Sequence, residues 1–143
     1  MSFTVVREPD QTLGRPQLSS PAAVVPVARG LIPDDGREHF LALYLNAQNR
    51  LLAAHEVSVG TCSSTLVNAA GVFGPALRLL GAASVILVHN HPSGDATPSR
   101  EDFRLTRQLV NAGKLLEIRV HDHLILGDGE GAGWVSMAER GEL

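Results

Sequence analysis

Apolar and polar positions divide the chain into short elements. From Ser20 the sequence turns apolar as far as Ile32; Ser20 can cap a helix and Pro21 suits its first position, so a helix is predicted there. Pro33-Asp34-Asp35-Gly36 ends it as a turn. Phe40 to Leu45 is almost continuously apolar and predicts a strand buried on both faces. Asn46-Ala47-Gln48-Asn49 reads as a hairpin turn, and Leu51 to Val59, which alternates less cleanly, as the partner strand. Leu66 to Leu80 predicts a helix entered irregularly, with Gly71, Gly74 and Pro75 placing its regular part from about Pro75 onward. Ser84 to Val88 is a short β-branched run, hence a buried strand, and Pro92 to Pro98 is a loop. Ser99 to about Leu115 carries the clearest helical period, with Phe103, Leu105, Leu109, Val110 and Leu116 near a 3.6-residue spacing. Ile118 to Leu126 predicts a strand, Gly127 to Gly133 a glycine-rich turn, and Trp134 to Met137 a closing strand.

The resulting order, αββαβαββ, predicts an α/β (α+β) fold with a mixed β-sheet flanked by helices. Residues 1–19 hold Pro9, Gly14, Pro16 and scattered polar residues and are expected to form a flexible N-terminal arm before a domain over 20–143. A length of 143 residues suits one such domain.

Composition narrows the function classes. Hydrophobic residues make up 44% and charged residues 19%, enough for a core, but aromatics are only 4%, so that core is built from Leu, Val, Ile and Ala. The formal net charge is −3 and no run of Lys or Arg occurs, which disfavours nucleic acid as a partner. Cys62 is the single cysteine, so no intrachain disulfide forms; it reads as a packing residue with no activating base beside it. There is no signal-peptide pattern and no stretch approaching the roughly 18–20 apolar residues that span a membrane. A cytoplasmic protein with no membrane partner is expected. The oligomeric state is not readable.

The segment His89-Asn90-His91-Pro92-Ser93-Gly94-Asp95-Ala96-Thr97-Pro98-Ser99-Arg100-Glu101-Asp102 holds the candidate chemistry. Side chains two apart on a strand point the same way, so His89 and His91 address one point while Asn90 faces away. Pro92 and Gly94 turn the chain, and Asp102 falls in the first turn of the next helix, able to face back. Two imidazoles and a carboxylate are ordinary zinc ligands, and three protein ligands leave a fourth position open, as catalytic zinc requires. Ser99 and Asp102 also have the spacing of a capping box. Asp95 is a rival third ligand in a turn where Asp is common for backbone reasons. Asp122 and His123 could orient a ligand from behind, although His121 and His123 also read as exposed strand residues; Asp122 shares parity with Ile118, Val120, Leu124 and Leu126 and would need a buried partner. His55-Glu56 lacks the second His of a His-Glu-x-x-His site.

This segment resembles the JAMM (MPN-plus, JAB1-type) metallopeptidase signature: His-x-His, seven residues, Ser, two residues, Asp. It looks most like the RadC branch, as do Arg37-Glu38-His39-Phe40, Val59-Gly60-Thr61, Ala82-Ala83-Ser84-Val85-Ile86-Leu87 and Asp122-His123-Leu124-Ile125. The resemblance runs from about Ser20 to the C-terminus and implies a JAB1/MPN-type, cytidine deaminase-like architecture. It implies Zn2+ held by His89, His91 and Asp102, Glu38 as general base and Ser99 as the hydroxyl supporting the tetrahedral intermediate. Glu56 is a weaker candidate for the base. The implied reaction is hydrolysis of a peptide or isopeptide bond, with relatives acting on ubiquitin-like or sulfur-carrier conjugates.

Two other functions compete. RadC-like proteins carry a DNA-repair label and usually place a helix-hairpin-helix region before this domain. Only a short arm precedes Ser20, which with the negative charge weakens that reading. A non-catalytic MPN scaffold typically loses metal ligands, and all are present here.

Overall fold

The computed structural model describes residues 2–5, 15–60 and 67–143. Among them the elements run β1 (Ser2–Val5), α1 (Pro21–Leu31), β2 (His39–Leu45), β3 (Leu51–Val59), α2 (Ala69–Ala76), β4 (Ser84–His91), α3 (Arg100–Leu116), β5 (Arg119–Gly127) and β6 (Trp134–Ser136). The expected αββαβαββ order is therefore present, preceded by one further strand. Six strands form one sheet in the order β1-β3-β2-β4-β5-β6. Only β4 and β5 are parallel, joined by α3, and every other pairing is antiparallel.

Three layers result. Phe40, Ala42, Tyr44, Val85 and Leu87 face α2 and α3, where Val72, Phe73, Leu105 and Leu109 close over them. Leu41, Leu43, Leu45, Ile86 and Val88 face Val24 and Ala28 of α1. Central strands buried on both faces need continuous apolar runs, and all seven residues of β2 are buried. Ser20 caps α1 as expected, its side chain accepting from the Ala23 amide at 3.3 Å.

Four expectations change. The N-terminal segment is not wholly an arm. Ser2–Val5 extends the sheet along β3, Gln17 bridges to Arg50, and Leu18 is buried against the α1-side core. Helix α2 ends near Pro75 instead of becoming regular there. Asn68 caps it by accepting from the Gly71 amide, and Pro75, with no N–H to bond back to the preceding turn, stands one residue from its end. Residues 61–66, including Cys62 and the expected helix start at Leu66, lie outside the described residues. On α3 the inward face is Asp102, Leu105, Thr106, Leu109 and Gly113; Phe103 and Leu116 stand 36% and 41% exposed. The apolar pattern misled there because two inward positions hold a hydroxyl and an acid.

The fourth change concerns β5. Its pairing with β4 slips by one residue at His121, where Val85 faces Val120 but Ile86 faces Asp122. Such a bulge moves every later side chain to the other face. Ile118 and Val120 therefore pack on the α2/α3 side while Leu124 and Leu126 pack on the α1 side. The parity shared by Ile118 through Leu126 in the sequence breaks at His121, and His123 turns inward beneath α3.

Candidate metal centre

In α/β sheets ligands gather at the carboxyl ends of parallel strands. Here β4 ends in His89-Asn90-His91, the chain turns through Gly94, and α3 begins at once. Gly94 has φ +88, and a Cβ on facing Gly127 would lie 2.2 Å from the Gly94 carbonyl, so this close crossing admits glycine alone at Gly127. The His91 carbonyl accepts from the Gly94 and Asp128 amides, both at 3.0 Å, fixing the turn to the end of β5.

Ser99 is the N-cap of α3 and Asp102 its N3 residue, in a complete capping box: the Ser99 hydroxyl accepts from the Asp102 amide at 3.1 Å and the Asp102 carboxylate accepts from the Ser99 amide at 2.8 Å. The cap sets the entry of α3 so that the same carboxylate looks back at β4. Asp102 Oδ1 lies 3.1 Å from His89 Nε2, Asp102 Oδ2 lies 3.2 Å from His91 Nε2, and the two Nε2 atoms are 3.1 Å apart. The capping and ligating roles of Asp102 thus coexist in one side chain.

This triangle fits a metal ion. Zinc–ligand bonds of roughly 2.0–2.1 Å at tetrahedral angles put ligand atoms about 3.3–3.4 Å apart, close to the spacing here. The outer ring nitrogens are committed elsewhere: His91 Nδ1 donates to the Asp95 carbonyl at 2.8 Å, and His89 Nδ1 lies 2.8 Å from His123 Nε2. Both inner nitrogens can therefore present lone pairs beside a carboxylate. Three electron-pair donors facing one another repel unless a cation sits among them. A proton can stand in for that cation: Asp102 raises His91 above the usual imidazole value against the opposing effect of burial, with the Asp95 carbonyl and the Glu38 charge adding to it. Burial works against the Asp102 charge, yet hydrogen bonds from His89 and His91 hold its carboxyl well below the usual range. His89, His91 and Asp102 form a group able to hold a metal ion.

Strand register places the remaining candidates. Phe40 pairs with His89 and its ring stacks on the imidazole, centroids 5.5 Å apart. Glu38, two residues before Phe40, has its parity and so stands on the same face toward His91, on which its charge acts. Glu56 is on the other face, where it meets His39 Nδ1 at 2.5 Å, and is removed as a candidate base for this centre. Asp95 turns its carboxylate to the Thr97 amide and hydroxyl, at 2.9 and 2.7 Å, leaving only its carbonyl to serve the centre. Asp122 does not orient a ligand. Its carboxylate accepts from Ser136 Oγ at 2.5 Å and from the Ala138 amide at 3.0 Å, tying β6 and the C-terminal turn to β5. His123 is fully buried, not exposed; burial drives its pKa well below the ordinary imidazole value, and the nearby His89 adds to this, so the ring is neutral.

Two residues of this region escaped the sequence reading. Thr106 lies against His123, and its only sequence signal is a position one turn after Asp102 and next to buried Leu105. His39, fully buried, meets Asp35 at 2.9 Å on its second nitrogen, and its amide donates to Asn90 Oδ1 at 2.7 Å. Among the described residues no helix is long and apolar enough to cross a membrane.

The comparisons with known proteins agree with this geometry. A family model described as the RadC-like JAB domain matches residues 18–142. A UPF0758 protein of Rubrobacter xylanophilus is 47% identical over 141 residues, 99% of this chain and 58% of that protein. Another, of Methanosarcina mazei, is 41% identical over 138 residues, 96% of this chain and 56% of its own length. UPF0758 protein GSU0386 of Geobacter sulfurreducens is 48% identical over 103 residues, 72% of this chain and 44% of its own. The chain spans about half the length of these curated relatives. With the family model covering nearly all of it, the chain belongs to the RadC-like JAB domain family.

Proposed function

We propose that this domain is a zinc-dependent hydrolase that cleaves a peptide or isopeptide bond in a protein substrate. The observation that carries the reading is the triangle of His89 Nε2, His91 Nε2 and Asp102 carboxylate at 3.1–3.2 Å, with the outer imidazole nitrogens already committed. Domains of this family are often metallohydrolases, which adds support. His89, His91 and Asp102 would hold the zinc. When bound, zinc supplies Lewis acidity that makes water a competent nucleophile near neutral pH.

The protein's own groups complete the chemistry. The Glu38 carboxylate, on the same face as the ligands, takes the proton of the attacking water and returns it to the leaving amine as the C–N bond breaks. Ser99 is exposed and hydrogen-bonded to Asp102, one of the ligands. Its cap uses an oxygen lone pair and leaves the hydroxyl proton for the developing oxyanion. The buried Phe40 ring, stacked on His89, backs the ligand triangle on the core side. The family resemblance makes conjugates of ubiquitin-like or sulfur-carrier proteins the substrates to try first.

The test is cleavage of a panel of linked ubiquitin-like proteins before and after chelation. Activity lost with the metal and regained on adding zinc is expected. Undiminished cleavage by metal-free protein contradicts the proposal.

A further inference from the structure

We propose that Thr106 is a positioning residue for the metal centre, setting through His123 which nitrogen of His89 carries a proton. This rests on the metal-binding reading above and extends it to two residues that touch neither metal nor substrate.

The geometry assigns each proton in turn. Thr106 Oγ1 lies 2.6 Å from the Asp102 backbone carbonyl and 2.5 Å from His123 Nδ1. A carbonyl oxygen only accepts, and two oxygens at that separation need a proton between them. The single hydroxyl proton of Thr106 therefore goes to Asp102. The hydroxyl can then only accept from His123, so His123 Nδ1 carries a proton. Among the described residues neither ring nitrogen of His123 meets a carboxylate: Nδ1 faces the Thr106 hydroxyl and Nε2 the His89 ring, and a second ring proton buried without an ion-pair partner is costly, so Nε2 holds a lone pair. His89 Nδ1, 2.8 Å away, must donate to it. That leaves His89 Nε2 as an electron-pair donor, aimed at His91 Nε2 and the Asp102 carboxylate.

The circuit closes on itself, since Asp102 supplies the backbone carbonyl at one end and the ligating carboxylate at the other. Its direction is set at Thr106. Without the hydroxyl, His123 gains nothing from a proton on Nδ1, and the alternative form, with the proton on Nε2, would make His89 Nδ1 the acceptor. His89 would then carry its proton on Nε2, where the metal binds. Partners that fix the tautomer of a ligating imidazole typically change metal affinity about 10–100-fold when removed.

A residue that merely packs α3 against β5 behaves differently. Valine keeps the shape of threonine and loses the hydroxyl; serine keeps the hydroxyl and loses a methyl. Packing alone therefore favours Thr106→Val, whereas proton direction favours Thr106→Ser. Zinc affinity of the wild-type protein and both variants is measured by competition with a chromophoric chelator, after circular dichroism has verified their folding. Thr106→Val is expected to bind zinc about 10–100-fold more weakly, and Thr106→Ser to stay near the wild type. Equal affinity of the Val variant and the wild type overturns the role of Thr106 while leaving the metal centre standing. A wild-type protein that takes up no zinc removes the centre itself, and the proposal with it. Nitrogen-15 NMR of the histidines in metal-free wild type provides a reading that needs no variant: His123 is expected neutral with its proton on Nδ1, and a proton on Nε2 overturns the proposal even if Thr106→Val does not fold.

Discussion

At one end of the sheet, two histidine clusters lie back to back on opposite faces, and they are wired in opposite senses. On the α1 side His39 sits between two carboxylates, Asp35 at 2.9 Å and Glu56 at 2.5 Å. Both ring nitrogens face carboxylates, which accept when ionised, so these contacts favour the protonated imidazole, a form with no lone pair to offer. Burial opposes that charge, but Asp35 and Glu56 together raise the His39 pKa above its usual value. On the α3 side two imidazoles share one carboxylate, and their outer nitrogens are tied to a carbonyl and to another imidazole. There the inner nitrogens point at one another and at the shared carboxylate, where they can act as electron-pair donors to a metal ion. Residue type is the same on both faces; the direction of the hydrogen bonds makes one cluster a clamp and leaves the other able to hold a metal ion. Asn90 separates them, its side chain accepting from the His39 amide and donating to the Arg37 carbonyl and to Asp128.

The largest effect expected on the metal side is at Glu38. Glu38→Gln keeps the strand and the ligand triangle but removes the proton acceptor. Turnover should fall about 10²–10⁴-fold with zinc content unchanged. If zinc is lost as well, Glu38 is a ligand and not a base, and unchanged turnover ends its role altogether.

Ser99 gives the next effect and separates capping from chemistry. As a cap alone, Ser99→Ala should cost about 0.5–2 kcal/mol of stability and leave turnover nearly intact. As an oxyanion donor it should also slow turnover by roughly 10²–10³. Ser99→Asp keeps a capping oxygen but places a negative charge toward the oxyanion, so the melting temperature should hold while activity drops. Full activity of Ser99→Asp with zinc bound would leave Ser99 only its cap.

The smallest effect is expected on the clamp side, and it depends on pH. A histidine whose folded pKa is raised stabilises the fold fully below its unfolded value, near 6.5, and loses that contribution as pH rises through the folded value. Asp35 has the opposite sign: the His39 hydrogen bond, then the Arg37 amide, hold its carboxyl below the normal range, so its contribution is present above its unfolded value and fades in acid. The difference in melting temperature between wild type and His39→Gln should therefore be greatest in mildly acidic solution and shrink toward alkaline pH. A constant difference from about pH 5 to pH 9 would mean that His39 is not charged in the clamp.

Much of this organisation was legible in the sequence because it rests on local patterns. The apolar runs of β2 and β4 are long enough to demand burial on both faces, and His-x-His followed by a turn and Ser-x-x-Asp fixes two strand positions and a helix start at once. The rest depends on partners distant in sequence. Strand β1 is four residues long, with too few positions to show a period. The bulge at His121 is a property of the pairing between β5 and β4, and without it His123 counts as an outward residue. Thr106 looks like an ordinary polar helix residue until β5 brings His123 beneath it. His39 is hidden for a similar reason, since Glu56 reaches it only through the β2–β3 register.

The most direct test of the difference between the two faces is the metal content of wild-type protein purified without chelators, read with X-ray absorption at the metal edge. About one zinc per chain is predicted, bound by two imidazole nitrogens and carboxylate oxygen with no sulfur. Less than about a tenth of an equivalent, with no uptake when zinc is added, would contradict the central claim, as would a bound ion with no imidazole in its shell.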